Sequence, residues 1–411
     1  MRSTGNSVRS DPLPAAIRIA FYAHFPFLEA ILRPAHDALA GRATRLLSQD
    51  RRAIRAFAPH VLVMAHHAHI EYFRFHLPRT VLVNVRHGMI SKRTLRRLPR
   101  RPTARTFDFV CIGDENSLGN HARAGIAPQG FWLTGYPQLD PLFRGDSPPT
   151  LPVDPARPTV LYAPTWNLGL TSATLFGPRL VEHLRARVPG VNVVIKPHPM
   201  IGSWRPRWMA WWRRLAEEER GVHLVADTHA DVTSYMLAAD VLVSDASSAV
   251  FEFLALDRPI VLVTNPLHRA DPAFDPHSII WRWRDVGEEV HEVGDVGAAV
   301  ERALREPGRQ RERRAEYARQ LFGPRTDGKN HERIAAHVYE AGRQVAAGIS
   351  PAGQAVDGSP GRVAWRWHDL RYSLGVRPWI RWAVVNHLEA IRLHLRARAL
   401  RAADGGGPPG R

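Results

Sequence analysis

The 411-residue chain has a single cysteine, Cys111, so no internal disulfide can form. That suits a reducing compartment, with Cys111 read as a small buried hydrophobe inside the strand-like run FDFVCIG. No run of about eighteen apolar residues occurs, so no membrane-spanning helix is expected. The opening MRSTGNSVRSDPLPAA lacks an apolar core segment, and no secretory signal is expected there. No repeat at a solenoid period is evident. Lysine is almost absent: of 56 basic residues only Lys92, Lys196 and Lys329 are lysine.

The net charge of +17 calls for an anionic partner: a membrane surface, nucleic acid or a polyanionic substrate. It comes almost wholly from arginine and reflects composition more than function. A compact ammonium suits a point contact to phosphate, which draws attention to the three lysines. At this length two domains are expected.

Residues 17–23, 60–66, 79–85, 107–113 and 131–135 read as strands with helical patterns between them, the signature of a parallel sheet. A Pro-rich stretch, 147–158, reads as a linker. The alternation resumes at 159–163, 191–196, 222–226, 240–244 and 259–263, with helical patterns around 174–188, 204–220, 230–239 and 247–256. The fold class is therefore α/β: two Rossmann-like doubly wound domains facing a cleft, assigned to 1–146 and 159–345. A flexible linker (346–361) and a basic, Trp- and Arg-rich helical tail (362–411) follow. Another helical pattern, 328–344, falls inside the second domain on this division.

Ligands of open parallel sheets bind beyond the carboxyl ends of the strands, and there the polar clusters fall. VVIKPHP (193–199) ends on Lys196 and His198, with prolines fixing the backbone on either side of the histidine. These two can hold a diphosphate or stabilise its leaving oxygen. DVLVSDASSAVFEFLALDRPIVLV (240–263) ends its strand on Ser244 and Asp245, and Ser247 and Ser248 open a helix. Serines there cap the helix, and the same groups can hold a phosphate. Glu252, one turn inside, reads either as a ribose contact or as an ordinary helix residue. Thr165, in LYAPTWN, reads as a phosphate contact or as part of a turn. Arg86-His87-Gly88 with Lys92 ends the strand 79–85; His87 reads as a general base or as a loop histidine. Asp327, Lys329 and Arg333 form a weaker cluster around a DGK turn. For His66, His67 and His69 a metal site is not favoured, and Trp204, Trp208, Trp211 and Trp212 form a helical stripe read as core.

Taken in order, HGMISK (87–92), TGYPQLDPLF (134–143), LYAPTWN (161–167), VIKPHP (194–199), the run 240–262 and DGKNHERI (327–334) resemble the CDP-glycerol glycerophosphotransferase family over about residues 80–336. All three lysines fall where the family motifs have lysine. The resemblance implies a GT-B fold and transfer of glycerol phosphate, or a related alditol phosphate, from a CDP-activated donor. The acceptor is then a hydroxyl of a cell-envelope glycopolymer or lipid-linked glycan, and CMP leaves. It further implies that His87 is the catalytic base and that His198 contacts the donor diphosphate. Lys196, Thr165, Ser244, Asp245, Ser247, Ser248 and Glu252 bind the donor, while Gly88, Lys92, Asp327 and Lys329 are secondary. Met89, Asn167 and Ala246 depart from the family pattern and bear on donor and acceptor identity.

The alternatives are a GT-B glycosyltransferase using a nucleotide sugar and a non-catalytic basic membrane-associated protein. No cofactor is required and no metal site is apparent, although a loosely held Mg2+ leaves little trace in sequence. An anionic membrane surface is an expected partner, through the tail. Nucleic acid is not expected, because no binding module is present. The expected location is cytoplasmic, peripheral on the inner face of the membrane.

Overall fold

A computed structural model describes residues 16–66, 68–86, 88, 107–114, 130–227 and 229–351. His87, Lys92, the loop carrying Met89 and the tail 362–411 lie outside the described residues.

The first half runs β1 (Arg18–Tyr22), α1 (Pro26–Asp37), β2 (Thr44–Ser48), α2 (Arg51–Phe57), β3 (Val61–Met64), α3 (Ile70–His76), β4 (Val81–Asn84), β5 (Phe109–Ile112), β6 (Gly130–Leu133) and α4 (Asp140–Arg144). All six strands are parallel, in the order β2-β1-β3-β4-β5-β6. Successive residues of a strand face opposite sides. Ile19, Phe21, Val61 and Val63 therefore build the core under α1. Ala20, Tyr22, Leu62 and Met64 pack with Ile54 of α2 and Phe73 of α3 on the other face.

The second half runs β7 (Thr159–Ala163), α5 (Ala173–Phe176), α6 (Leu180–Arg185), β8 (Asn192–Ile195), α7 (Pro199–Trp204), α8 (Pro206–Glu218), β9 (Val222–Leu224), α9 (Val232–Leu237), β10 (Val241–Ser244), α10 (Ala249–Glu252), β11 (Ile260–Val263), α11 (Ile279–Arg282), β12 (Glu288–Val290), α12 (Val296–Arg305), α13 (Arg311–Phe322) and α14 (Asn330–Ala346). Its six strands are also parallel, ordered β12-β11-β10-β7-β8-β9. Trp208 and Trp212 are buried in its core, so these two members of the tryptophan stripe are packing residues. Cys111 is buried and unpaired.

The structure departs from the expected elements in three places. β2 and β12 were not expected: both are edge strands, and TRLLS and EEV carry too few apolar residues to show a pattern. The expected helix 174–188 is broken at Gly177-Pro178, whereas that expected around 204–220 is one helix that starts at Pro206, Trp204 ending the helix before it. Finally, the helix expected at 328–344, assigned to the second domain, packs on the first. Ile334, Ala335, Val338 and Ala341 of α14 are buried in the core of the first sheet. α14 lies beside α1 on the same face of the first sheet, so the chain crosses back after finishing the second domain.

Candidate active site

β8 delivers Lys196 and His198 to the carboxyl edge of the second sheet. Lys196 is almost wholly buried, and its Nζ donates to the Pro197 carbonyl at 3.0 Å. Burial pushes its pKa down from 10.5 to about 8, and the charges of Asp231 and Asp227 act against that fall. His198 is the extended residue before α7, and its Nδ1 accepts the Met200 N–H at 3.1 Å. With Nδ1 an acceptor, the ring proton of neutral His198 sits on Nε2. The His198 ring centroid lies 6.3 Å from that of Trp166, in the next strand-end loop.

Asp231 caps α9 by accepting the Thr233 N–H and is also bonded to the Thr233 hydroxyl. Its own pKa is raised, chiefly by burial. Glu252 is buried, and its carboxyl is pushed up to about 7 by burial and by Asp231, against a bond from Ser248. Lys196, Asp231 and Glu252 thus form one electrostatic group at the strand ends. Asp231 was not anticipated, because an aspartate opening a helix is an ordinary cap in sequence.

The other expected donor-binding residues divide. Ser247 and Ser248 stand at the start of α10, where Ser247 Oγ accepts the Ala249 N–H at 3.3 Å. The helix expected over 247–256 is one α-turn continuing as a 3-10 turn (Phe253–Leu256), which shortens the dipole available to an anion. Ser244 and Thr165 are fully buried. Ser244 Oγ donates to the Ala163 carbonyl at 2.6 Å. Asp245 accepts the Thr165 N–H at 2.9 Å on one oxygen and both the N–H and hydroxyl of Ser172 on the other, at 2.7 and 2.8 Å. Arg284 reaches the same loop, donating to the Asp245 carbonyl at 3.2 Å while paired with Glu289 at 2.9 Å. In these contacts Thr165, Ser244 and Asp245 build the loop that presents Ser247 and Ser248.

On the first sheet, β4 leads into Arg86 and Gly88. Arg86 has φ of 52°, a left-handed conformation uncommon for a non-glycine residue, and its N–H is held by Asn84 Oδ1 at 2.7 Å. Among the described residues, a Cβ at Gly88 meets nothing within 4 Å. Asp327 and Lys329 stand elsewhere. Asp327 is paired with Arg333 at 2.7 Å. Asp327 and Lys329 line a 410 Å3 hollow between the two halves, together with Pro34 of α1, Asp231 and Arg144. The halves also meet where the Phe27 and His229 rings stack at 5.7 Å.

Two parallel six-stranded sheets, joined across a hollow and each carrying polar residues at its strand ends, define a two-domain α/β protein of GT-B architecture. Residues 55–340 match the model of the CDP-Glycerol:Poly(glycerophosphate) glycerophosphotransferase family, and the chain belongs to that family. It is 25% identical over 174 residues to the teichoic acid glycerol-phosphate primase of Bacillus subtilis (strain 168), covering 39% of this chain and 41% of that protein. It is 23% identical over 171 residues to the teichoic acid ribitol-phosphate polymerase TarK of Staphylococcus aureus (strain NCTC 8325 / PS 47), covering 38% and 32%. The matches thus span less than half the length of these curated relatives. Among solved structures, the wall teichoic acid polymerase TagF superposes with a TM-score of 0.61 at 15% identity, over 81% of this chain and 90% of that one. The S. aureus MnaA-UDP co-structure gives 0.55 at 11% identity, over 82% and 99%. These similarities extend the shared fold to nearly the whole described region. Among the described residues no helix is long and apolar enough to cross a membrane.

Proposed function

We propose that this chain transfers glycerol phosphate, or a related alditol phosphate, from a CDP-activated donor to an acceptor hydroxyl of a cell-envelope glycopolymer or lipid-linked glycan. The observation that carries the reading is the buried Lys196 beside His198 at the end of β8, at the carboxyl edge of the second sheet. A buried ammonium at a strand end is suited to a polyanion, and a diphosphate supplies one. Family membership and the polymerase and primase relatives support the same choice.

On this reading His87 takes the proton of the acceptor hydroxyl. The hydroxyl oxygen attacks the phosphorus next to glycerol, the bond from that phosphorus to the bridging oxygen breaks, and the pair departs with CMP. Lys196 and the Nε2–H of His198 counter the charge that grows on the leaving phosphate. Ser247 and Ser248 contribute hydroxyls to the same diphosphate, and Glu252 meets a donor hydroxyl. The reaction takes place at the inner membrane face, where the basic tail binds anionic lipid. The side chains carry the counter-charge without a cofactor, and a chelator in the assay tests whether Mg2+ shares it.

The test is nucleotide release from CDP-glycerol, CDP-ribitol and a panel of nucleotide sugars, each with a membrane extract as acceptor source. CMP from a CDP-alditol, lost in a folded His87→Ala chain, supports the proposal. A nucleoside diphosphate released from a sugar donor replaces it with glycosyl transfer. Neither turnover nor tight nucleotide binding leaves a non-catalytic role.

A further inference from the structure

The first domain carries a cationic hollow that the chemistry above does not use. Arg51, Arg52 and Arg55 of α2 and Tyr72 of α3 line a space of about 450 Å3 at the outer end of the first sheet. The three arginines are exposed, and among the described residues no carboxylate forms an ion pair with them. The nearby acid is Asp50, whose Oδ1 is engaged by the Arg52 N–H at 2.7 Å as the cap of α2. The Arg51 guanidinium lies 5.0 Å from the centroid of the Tyr72 ring, which holds it over the hollow. Many other arginines of this chain are neutralised by a neighbour, as in Arg185–Glu219, Arg302–Glu288 and Arg343–Glu340.

A continuous row of rings links this hollow to the cleft. The Tyr22 hydroxyl is 2.5 Å from His69 Nδ1, and both groups feel the charge of Arg51. The His69 ring lies 4.6 Å from that of His24, which lies 4.3 Å from Phe25. Phe25 stacks on Phe27 at 5.7 Å, and Phe27 in turn stacks on His229 of the second domain. The strand order β2-β1-β3-β4 explains the layout. Arg51 follows the end of β2, Tyr22 closes β1 and His24 follows it, His66 and His69 follow β3, and Gly88 follows β4. At about 4.8 Å per strand, the ends of β4 and β2 stand about 14 Å apart. Between them, burial lowers the pKa of His24 and takes that of His69 to about 4, so both rings are neutral near pH 7. The inner stretch offers hydrogen bonds and ring faces, and the net positive charge is held for the outer end.

We propose that Arg51, Arg52 and Arg55, with Tyr72, form an anion site for a phosphodiester of the acceptor chain whose terminal hydroxyl reacts at the end of β4. The inference rests on the phosphotransfer reading and assigns the acceptor a path. Guanidinium forks match phosphate oxygens in pairs, and unpaired, exposed arginines give up no internal partner to do so. A neutral polyol has no use for them, so the site selects an acceptor already carrying phosphate.

The experiment uses the full chain and a fluorescent, soluble oligo(glycerol phosphate), with an uncharged oligoglycerol of equal length as control. Binding is read by anisotropy, and CMP binding is measured separately by calorimetry. The expected result is a loss of about tenfold or more in oligomer affinity in R51A/R52A/R55A, partial rescue by three lysines, no effect on the neutral oligomer and unchanged CMP affinity. Equal oligomer binding by variant and unaltered chain, or no binding by the unaltered chain, overturns the site. Unchanged oligomer binding with lost binding to phosphatidylglycerol vesicles overturns the acceptor assignment and gives the arginines to the membrane. Failure of the unaltered chain to bind CMP while the oligomer result stands counts against the phosphotransfer reading and leaves the anion site in place.

Discussion

Asp140 and His331 lie 191 positions apart in sequence and 2.6 Å apart in the structure, through Asp140 Oδ2 and His331 Nδ1. The same carboxylate accepts the N–H groups of Asn330 and His331 at 3.0 and 2.9 Å. The motifs TGYPQLDP and DGKNHERI are therefore two halves of one joint, in which an aspartate after the first domain caps the helix that returns to it. Gly135 belongs to the joint: its φ is +84°, and a Cβ there would lie 2.0 Å from Asn330 Oδ1. Asp140→Ala should cost about 2–4 kcal/mol, from a lost cap and stranded buried donors. Denaturant unfolding measures it, and a loss under about 0.5 kcal/mol would mean that the joint is held by α14 packing alone.

Asp245 is the corresponding tie inside the second domain, with Thr165 and Ser172 as its partners. Asp245→Ala strands three buried donors at about 1–3 kcal/mol each, so destabilisation should exceed about 3 kcal/mol. Asp245→Asn, which keeps one carbonyl acceptor, should fall between. If Asp245→Ala instead keeps its unfolding midpoint and loses only nucleotide affinity, the carboxylate serves the ligand and not the loop.

Those two joints show where sequence reading stops. The strands of the second sheet were legible because β7, β8, β10 and β11 are buried along their whole length and read as unbroken apolar runs. β2 and β12 were not, because an edge strand needs only half a face of apolar residues. Lys196 and His198 stood out in the sequence because a rare residue and two prolines close a strand. The inward use of Asp245 was not, since nothing in SDASS says which way a strand-end carboxylate points. The hollow at Arg51 was hidden for the opposite reason: in so arginine-rich a chain, three more arginines on a short helix carry no signal until their lack of partners is seen.

Lys196 sets a pH dependence whose sign differs for stability and binding. Its folded pKa of about 8 lies below the ordinary 10.5, so between these values the unfolded chain binds more protons. This group therefore penalises folding below about pH 8, and the penalty is relieved as pH rises from about 8 to 10.5. On the proposed reading donor binding runs the other way, because the diphosphate needs the ammonium form. Affinity for CDP-glycerol should fall as pH rises through about 8, at most about tenfold per further unit, and this fall should vanish in Lys196→Met. The same pH profile in Lys196→Met would assign the titration to another group.

On the proposed reading His198 has two uses that one substitution cannot separate and two can. Its Nδ1 caps α7 through Met200, which leaves Nε2 to carry the proton. His198→Ala removes both the cap and the donor and should cost about 1 kcal/mol of stability together with activity. Asparagine is a good cap, its side-chain oxygen able to take the Met200 N–H, but it is too short to return a donor to the place of Nε2–H. His198→Asn should therefore keep the unfolding midpoint of the parent chain and still lose about a hundredfold or more in CMP release, mostly in kcat. A His198→Asn chain with full turnover would reduce His198 to a capping residue and leave Lys196 to meet the leaving phosphate without it.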